Sequence, residues 1–122
     1  MKLRIRGNSI RIRISQSELS AIAAGDSVED SIQFAPGNRL RYGLAVAQSG
    51  AARVSFENDR ILVQLPQGSV AQWLGPDEVG IEASQAIGGG EQLTILVEKD
   101  FTCLAPRDGE EDADTFPNPK AS

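Results

Sequence analysis

The chain of 122 residues has no histidine, one cysteine and one each of methionine, tryptophan and tyrosine. Each scarcity removes a chemistry. Without histidine there is no Ser-His-Asp triad, no Cys-His pair, no histidine-ligated zinc and no histidine general base. Cys103 alone closes no internal disulfide and builds no multi-cysteine metal centre. Six aromatic residues are too few for a base-stacking platform, and Phe34, Tyr42, Phe56 and Trp73 fall at apolar-face or helix positions, where they are expected to be core. No apolar run approaches the roughly 18 residues of a membrane-spanning helix, and the start lacks the 7 to 15 or so apolar residues of a signal peptide. The expected setting is therefore soluble, reducing and cytoplasmic.

Acidity is concentrated at one end. Of the formal charge of −5, residues 1–106 contribute ten Lys or Arg against twelve Asp or Glu, while 107–122 contribute two against five. This suggests one domain over 1–106 and an acidic, proline-containing tail over 107–122, a disordered end being as compatible with that composition as a docked one. The tail carboxylates Asp108, Glu110, Glu111, Asp112 and Asp114 lack the spaced ligands, central glycine and terminal glutamate of a calcium loop, so a solvated tail is expected. Cys103 reads as a small buried hydrophobe, since no positive helix end or histidine is at hand to lower its pKa.

The body is dominated by alternation with a period of two, the pattern of half-buried strands. "KLRIR" and "SIRIRI" flank Gly7-Asn8 and read as a hairpin whose apolar set is Leu3, Ile5, Ile10, Ile12 and Ile14. In "SQSELSAIAAG", Ser15 and Glu18 have the spacing of a capping box, Leu19 and Ile22 share a face, and Gly25 stops a short helix. "SVEDSIQFA" and "NRLRYGLAVAQ" follow as strands around Pro36-Gly37-Asn38. The series then recurs. "RVSFENDRILVQL" is a hairpin across Asn58-Asp59, "PQGSVAQWLG" a weaker helix, and "EVGIEAS" and "EQLTILVEKDF" are strands joined across Gly88-Gly89-Gly90. That glycine run joins two strands rather than opening a helix, so it is no phosphate-cradling loop.

At an offset of 51 residues Ile10, Ile12, Ile14, Leu19, Ile22, Asp26 and Val28 fall on Ile61, Val63, Leu65, Val70, Trp73, Asp77 and Val79, and Leu44 and Val46 on Ile95 and Val97. The expected fold is α+β and mainly antiparallel β. Two pseudo-repeated ββαββ units would form an eight-stranded barrel-like domain with two short helices, because a four-stranded sheet with one apolar face has to bury it against another.

Opposite the isoleucines stands a basic comb. Alternation places Lys2, Arg4, Arg6, Arg11, Arg13, Arg39, Arg41 and Arg53 on one face together with Glu29, Glu57, Glu82 and Glu98. Arg4, Arg6, Arg11, Arg13, Arg39, Arg41, Glu82 and Glu98 are the candidate binding residues. If the face is outside, it suits a non-enzymatic module that binds a protein partner or a small anionic ligand. If it is inside, it would line a tunnel for phosphate esters or polyphosphate, with arginines gripping phosphate and carboxylates holding magnesium. The inward arrangement is loosely similar to the triphosphate tunnel enzymes, although the first strand here has none of their alternating glutamates. The overall acidity disfavours nucleic acid, whose binding draws on neutralised phosphates. No nucleophile or general base stands out, so no catalytic residue, metal ligand or cofactor is assigned and a binding role is favoured over an enzymatic one.

Taken whole, the chain resembles a family of short bacterial proteins of unknown function that begin like "MKLRIRGNSIRIRIS" and end like "LVEKDFTCL" followed by an acidic stretch and "FPNP". The resemblance implies a compact bacterial protein and carries no activity, cofactor or catalytic residue with it.

Overall fold

The computed structural model describes residues 1–48, 50–101 and 115–116. Eight strands and two helices follow in the order β1 (Lys2–Arg6), β2 (Ser9–Ile14), α1 (Gln16–Ala23), β3 (Val28–Ala35), β4 (Asn38–Ala47), β5 (Arg53–Glu57), β6 (Arg60–Pro66), α2 (Gln67–Trp73), β7 (Gly80–Gly88) and β8 (Glu91–Lys99).

Turn chemistry sets the hairpins. Gly7 takes φ +54°, and Asn58 and Asp59 take φ 54° and 57°, the left-handed backbone that lets two residues reverse a twisted strand pair. The closing pairs are Arg6 with Ser9 and Glu57 with Arg60, and this register decides which backbone groups each edge strand turns outward. Ser15 caps α1 as its sequence predicts: its hydroxyl accepts from Glu18 N and the Glu18 carboxylate accepts from Ser15 N. α2 has Pro66 at the capping position and no side-chain cap.

The strands form two four-stranded sheets, A in the order β1-β2-β8-β7 and B in the order β3-β4-β6-β5. This corrects the expected architecture in two respects. The strands do not close into a barrel, and the sheets are mixed, because β2 runs parallel to β8 and β4 parallel to β6. Neither sheet belongs to one half of the chain. Each combines a hairpin from residues 1–47 with a hairpin from residues 53–99, so the central parallel contacts tie the halves together.

The pairing scheme recurs with a change of spacing. Val28 pairs with Leu44 and Leu44 with Val63, while Ile81 pairs with Val97 and Val97 with Ile12. Position 12 therefore corresponds to 63 at a shift of 51, but 28 and 44 correspond to 81 and 97 at a shift of 53. The extra two residues fall between α2 and β7, where Gly75 N donates to Gln72 O and Glu78 N to Gly75 O.

The core is aliphatic. Ile12, Ile14, Leu44, Val63, Leu65, Ile95 and Val97 from the inner sheet faces pack with Ile22 and Trp73 from the helices, all essentially inaccessible. Burying each such side chain contributes on the order of 1.5–3 kcal/mol. Trp73 also donates from Nε1 to Val79 O at 3.0 Å, which satisfies the one polar atom its burial would strand. Tyr42 packs against this core as expected, but Phe34 and Phe56 do not belong to it. They are 65% and 63% exposed, because both lie on inner sheet faces toward the hairpin tips, away from the helices that cover the other end.

Among the described residues the chain returns to the body at Thr115 and Phe116. Phe116 N donates to Asp100 O at 2.8 Å, Gln16 Nε2 donates to Thr115 O at 2.8 Å, and the Phe101 and Phe116 rings meet edge to face. Cys103, the acidic residues 108–114 and the prolines of "FPNP" lie outside the described residues. No helix among the described residues is long and apolar enough to cross a membrane.

Candidate functional site: the charged outer sheet faces

Strand pairing places every candidate side chain. Directly paired residues share a face, so Lys2 with Arg13, Arg4 with Arg11, and Arg13 with Glu98 put these side chains together on the outer face of sheet A. Glu82 joins them through Leu96 and Arg11. Arg39 and Arg41 lie on the outer face of sheet B beside Gln33, Ser31 and Arg60. The eight candidates thus divide six and two between separate surfaces and do not converge on one site. The inward, tunnel-lining arrangement is corrected outright: all eight candidates stand on outer faces, and the inner faces behind them carry the aliphatic core of Ile10, Ile12, Ile14, Leu44, Ile61, Val63, Ile95 and Val97.

On sheet A one carboxylate serves two arginines. Arg13 Nε donates to Glu98 Oε1 at 2.8 Å, Arg11 Nε lies 2.7 Å from the same oxygen, and Arg11 Nη2 donates to Oε2 at 3.5 Å. The Arg11 Nε hydrogen is not aimed at that oxygen and has no acceptor, so its short separation is an ion pair without a hydrogen bond. Glu98 is 9% exposed, partly because it pairs with Gly80. A Cβ there would collide with Val97 O and press within 3.0 Å of Glu98 Cα and Cβ. Lys2 pairs with Asp100 at 3.0 Å. Arg4 and Arg6 are exposed, and among the described residues no carboxylate pairs with either. Glu82 stands exposed across from Leu96, and among the described residues no arginine pairs with it.

Sheet B carries a different arrangement. Arg41 and Arg60 are direct cross-strand neighbours, and like charges so placed repel. Arg41 Nη2 donates to Asn58 O at 3.1 Å, while Arg60 Nε lies 3.1 Å from Glu29 Oε1 without a directed hydrogen bond. Around them, Ser55, Glu57, Asn58 and Leu62 line a shallow recess of about 170 Å³. Arg60, which alternation alone did not single out, is the residue that makes this recess cationic. Its cross-strand partner Arg41 could be recognised only once β4 was known to run beside β6.

The helix end of the molecule has the opposite sign. Glu18, Asp26, Asp77 and Glu78 lie in or after the helices, and nine of the ten Lys and Arg residues of 1–101 are on outer sheet faces, the exception being Lys99. Lys99 is buried, donates to Gly75 O at 2.9 Å just beyond α2, and lies 5.5 Å above the Phe116 ring. A cation at a helix C-terminus and over an aromatic face is stabilised by both. Among the described residues no group of three or more His, Cys, Asp or Glu side chains is arranged to hold a metal ion. The phenol of Tyr42 is pushed up from its ordinary pKa by burial first, then by the negative charges of Asp30 and Glu18.

Fold and surface together define a mixed-β scaffold with an aliphatic interior and its chemistry displayed outside. The chain belongs to a family of unknown function, DUF7009, whose model matches residues 1–120. No curated protein and no solved structure gives a significant match.

Proposed function

We propose that this protein is a non-enzymatic binding module that holds an acidic partner protein on the outer face of sheet A. The observation that carries this reading is the adjacency of Lys2, Arg4, Arg6, Arg11 and Arg13 on two paired strands, against which, among the described residues, only Glu98 and Asp100 are engaged. Arg4 and Arg6 are left exposed to meet carboxylates, and guanidinium groups do so with fork geometry. Within this reading the chain works as two ββαββ units, a pattern supported by the recurring pairing scheme, with 1–106 as the binding body, 107–122 as an acidic tail and the cytoplasm as its setting.

The test is affinity for a fluorescent polyglutamate probe at low and moderate salt. Wild-type protein should bind with marked salt dependence, and Arg4→Glu with Arg6→Glu should weaken binding by tenfold or more, whereas Arg39→Glu should change it little. Equal loss from Arg39→Glu, or preference for duplex DNA of matched charge over polyglutamate, would overturn the assignment. The recess on sheet B supports a second reading, a small anion held between Arg41 and Arg60 with the Ser55 hydroxyl as a further donor. Thermal stabilisation by millimolar pyrophosphate that disappears in Arg60→Gln would establish it, since a ligand bound only to the native state raises stability.

A further inference from the structure

We propose that strand β1 is an open docking edge that accepts an extended segment of the acidic partner by strand addition, the segment alternating acidic with apolar side chains. This rests on the binding role assigned above to the face of sheet A and names how the partner engages it.

The inference begins at the other seam between the sheets. Val54 on β5 pairs with Val63, three positions from the closing pair of a two-residue hairpin. Its N–H and C=O therefore point away from β6. Gln85 of β7 supplies what they lack: its Oε1 accepts from Val54 N at 2.6 Å and its Nε2 donates to Val54 O at 3.1 Å. A primary amide reproduces both partners of a neighbouring strand, and β5 is capped at Val54, the residue equivalent to Leu3, though, among the described residues, not at Phe56 nearer the turn.

β1 has the same hairpin geometry, since Arg6 and Ser9 close it and Leu3 pairs with Ile12. Leu3 and Ile5 accordingly present N–H and C=O groups outward, as Val54 does. The residue corresponding to Gln85 is Ile32, whose side chain supplies neither donor nor acceptor. Among the described residues no side chain caps the Leu3 or Ile5 backbone. The edge strand itself carries exposed apolar surface, with Ile5 58% exposed, and on the strand corresponding to β7 Ile32 and Phe34 are 49% and 65% exposed.

An unpaired edge bordered by apolar side chains is a template for another strand. Its charge decides which strand. Antiparallel pairing of β1 with a second copy of itself would set Lys2, Arg4 and Arg6 against one another, and like charges in direct opposition repel. A strand with carboxylates on the side of Lys2, Arg4 and Arg6 and apolar residues on the side of Leu3 and Ile5 satisfies both faces at once. The alternation that folds β1 thereby also specifies its partner.

The probe is an eight-residue peptide alternating glutamate with valine, compared with a peptide of identical composition whose glutamates form one block, both followed by fluorescence anisotropy. The alternating peptide should bind at least tenfold more tightly than the block peptide. N-methylation of every second peptide amide should abolish that advantage, with the protein left untouched. Ile5→Pro should abolish it too, because the Ile5 N–H points outward and proline removes no bond of the β1–β2 ladder; far-UV circular dichroism and thermal midpoint report whether this variant folds. Arg4→Glu should weaken both peptides. Equal binding of alternating and block peptides, with Arg4→Glu still damaging, would overturn strand addition and leave the acidic-partner reading standing. Indifference to Arg4→Glu would overturn both.

Discussion

Where β5 meets β7, Gln85 caps Val54 with an amide; on β3 the corresponding residue is Ile32, and among the described residues nothing caps Leu3, the β1 residue equivalent to Val54. The helices differ in the opposite sense. α1 is secured at its start by the Ser15–Glu18 box, to which the Met1 amino group adds an ion pair at 2.9 Å with Glu18. α2 has only Pro66 there and depends instead on Trp73, buried and hydrogen-bonded to Val79 O. The half that is locally secured leaves its edge free, and the half that is weakly capped is held by long-range contacts. Structural tightness is thus gathered around α2 and β7, and availability around β1.

The largest test of that asymmetry is Trp73→Ala, which should destabilise the protein by about 3–5 kcal/mol through cavity formation and exceed the loss from Ile22→Ala in α1, both measured by chemical denaturation. Gln85→Ala should cost about 1–3 kcal/mol by stranding the Val54 donor and acceptor, whereas Ile32→Ala should cost less than about 1 kcal/mol because its side chain is half exposed; equal losses would dissolve the distinction between the seams. Ser15→Ala should lower stability by about 1 kcal/mol, and Pro66→Ala should show no comparable loss of a cap.

The smallest effect is a pH dependence. Tyr42 is the sole tyrosine, so absorbance near 295 nm reports it alone. Its folded-state pKa is raised by burial, Asp30 and Glu18, so the native state holds the phenolic proton more tightly than the unfolded chain. The resulting stability is fully present below about pH 10, the unfolded value, and is lost as pH rises through the folded value. Tyr42→Phe should remove this alkaline component, and Asp30→Asn should lower the absorbance midpoint. An absorbance midpoint equal to that of the unfolded chain would contradict the burial of the ring.

Much of the local structure was legible in the sequence because it is encoded locally. Gly7-Asn8, Asn58-Asp59 and the Ser15–Glu18 spacing determine turns and a cap through neighbours in the chain, and the alternation of Ile10, Ile12 and Ile14 places them in the core. Pairing between distant strands was not legible. β2 and β8 are separated by most of the chain, and nothing in "SIRIRI" states that its neighbour is "EQLTILVEK". The expected barrel and the single charged face both failed at that step, and Arg39 and Arg41 went to the other sheet. A uniform offset of 51 likewise missed the two extra residues before β7, because strands of similar composition align nearly as well one residue pair out of place. Phe34 and Phe56 show the remaining limit: their alternation is correct, but exposure depends on how far along the sheet the helices reach.

The exchange of hairpins between the sheets has a consequence for the connection between β4 and β5. That connection holds no ladder together, since β4 and β5 each pair with β6 on opposite sides. A protease cut near residue 50 would leave every strand pairing intact and yield two fragments, each supplying one hairpin to each sheet. Such a nicked molecule would behave as an interlocked heterodimer, and its melting point would depend on protein concentration as that of the continuous chain does not.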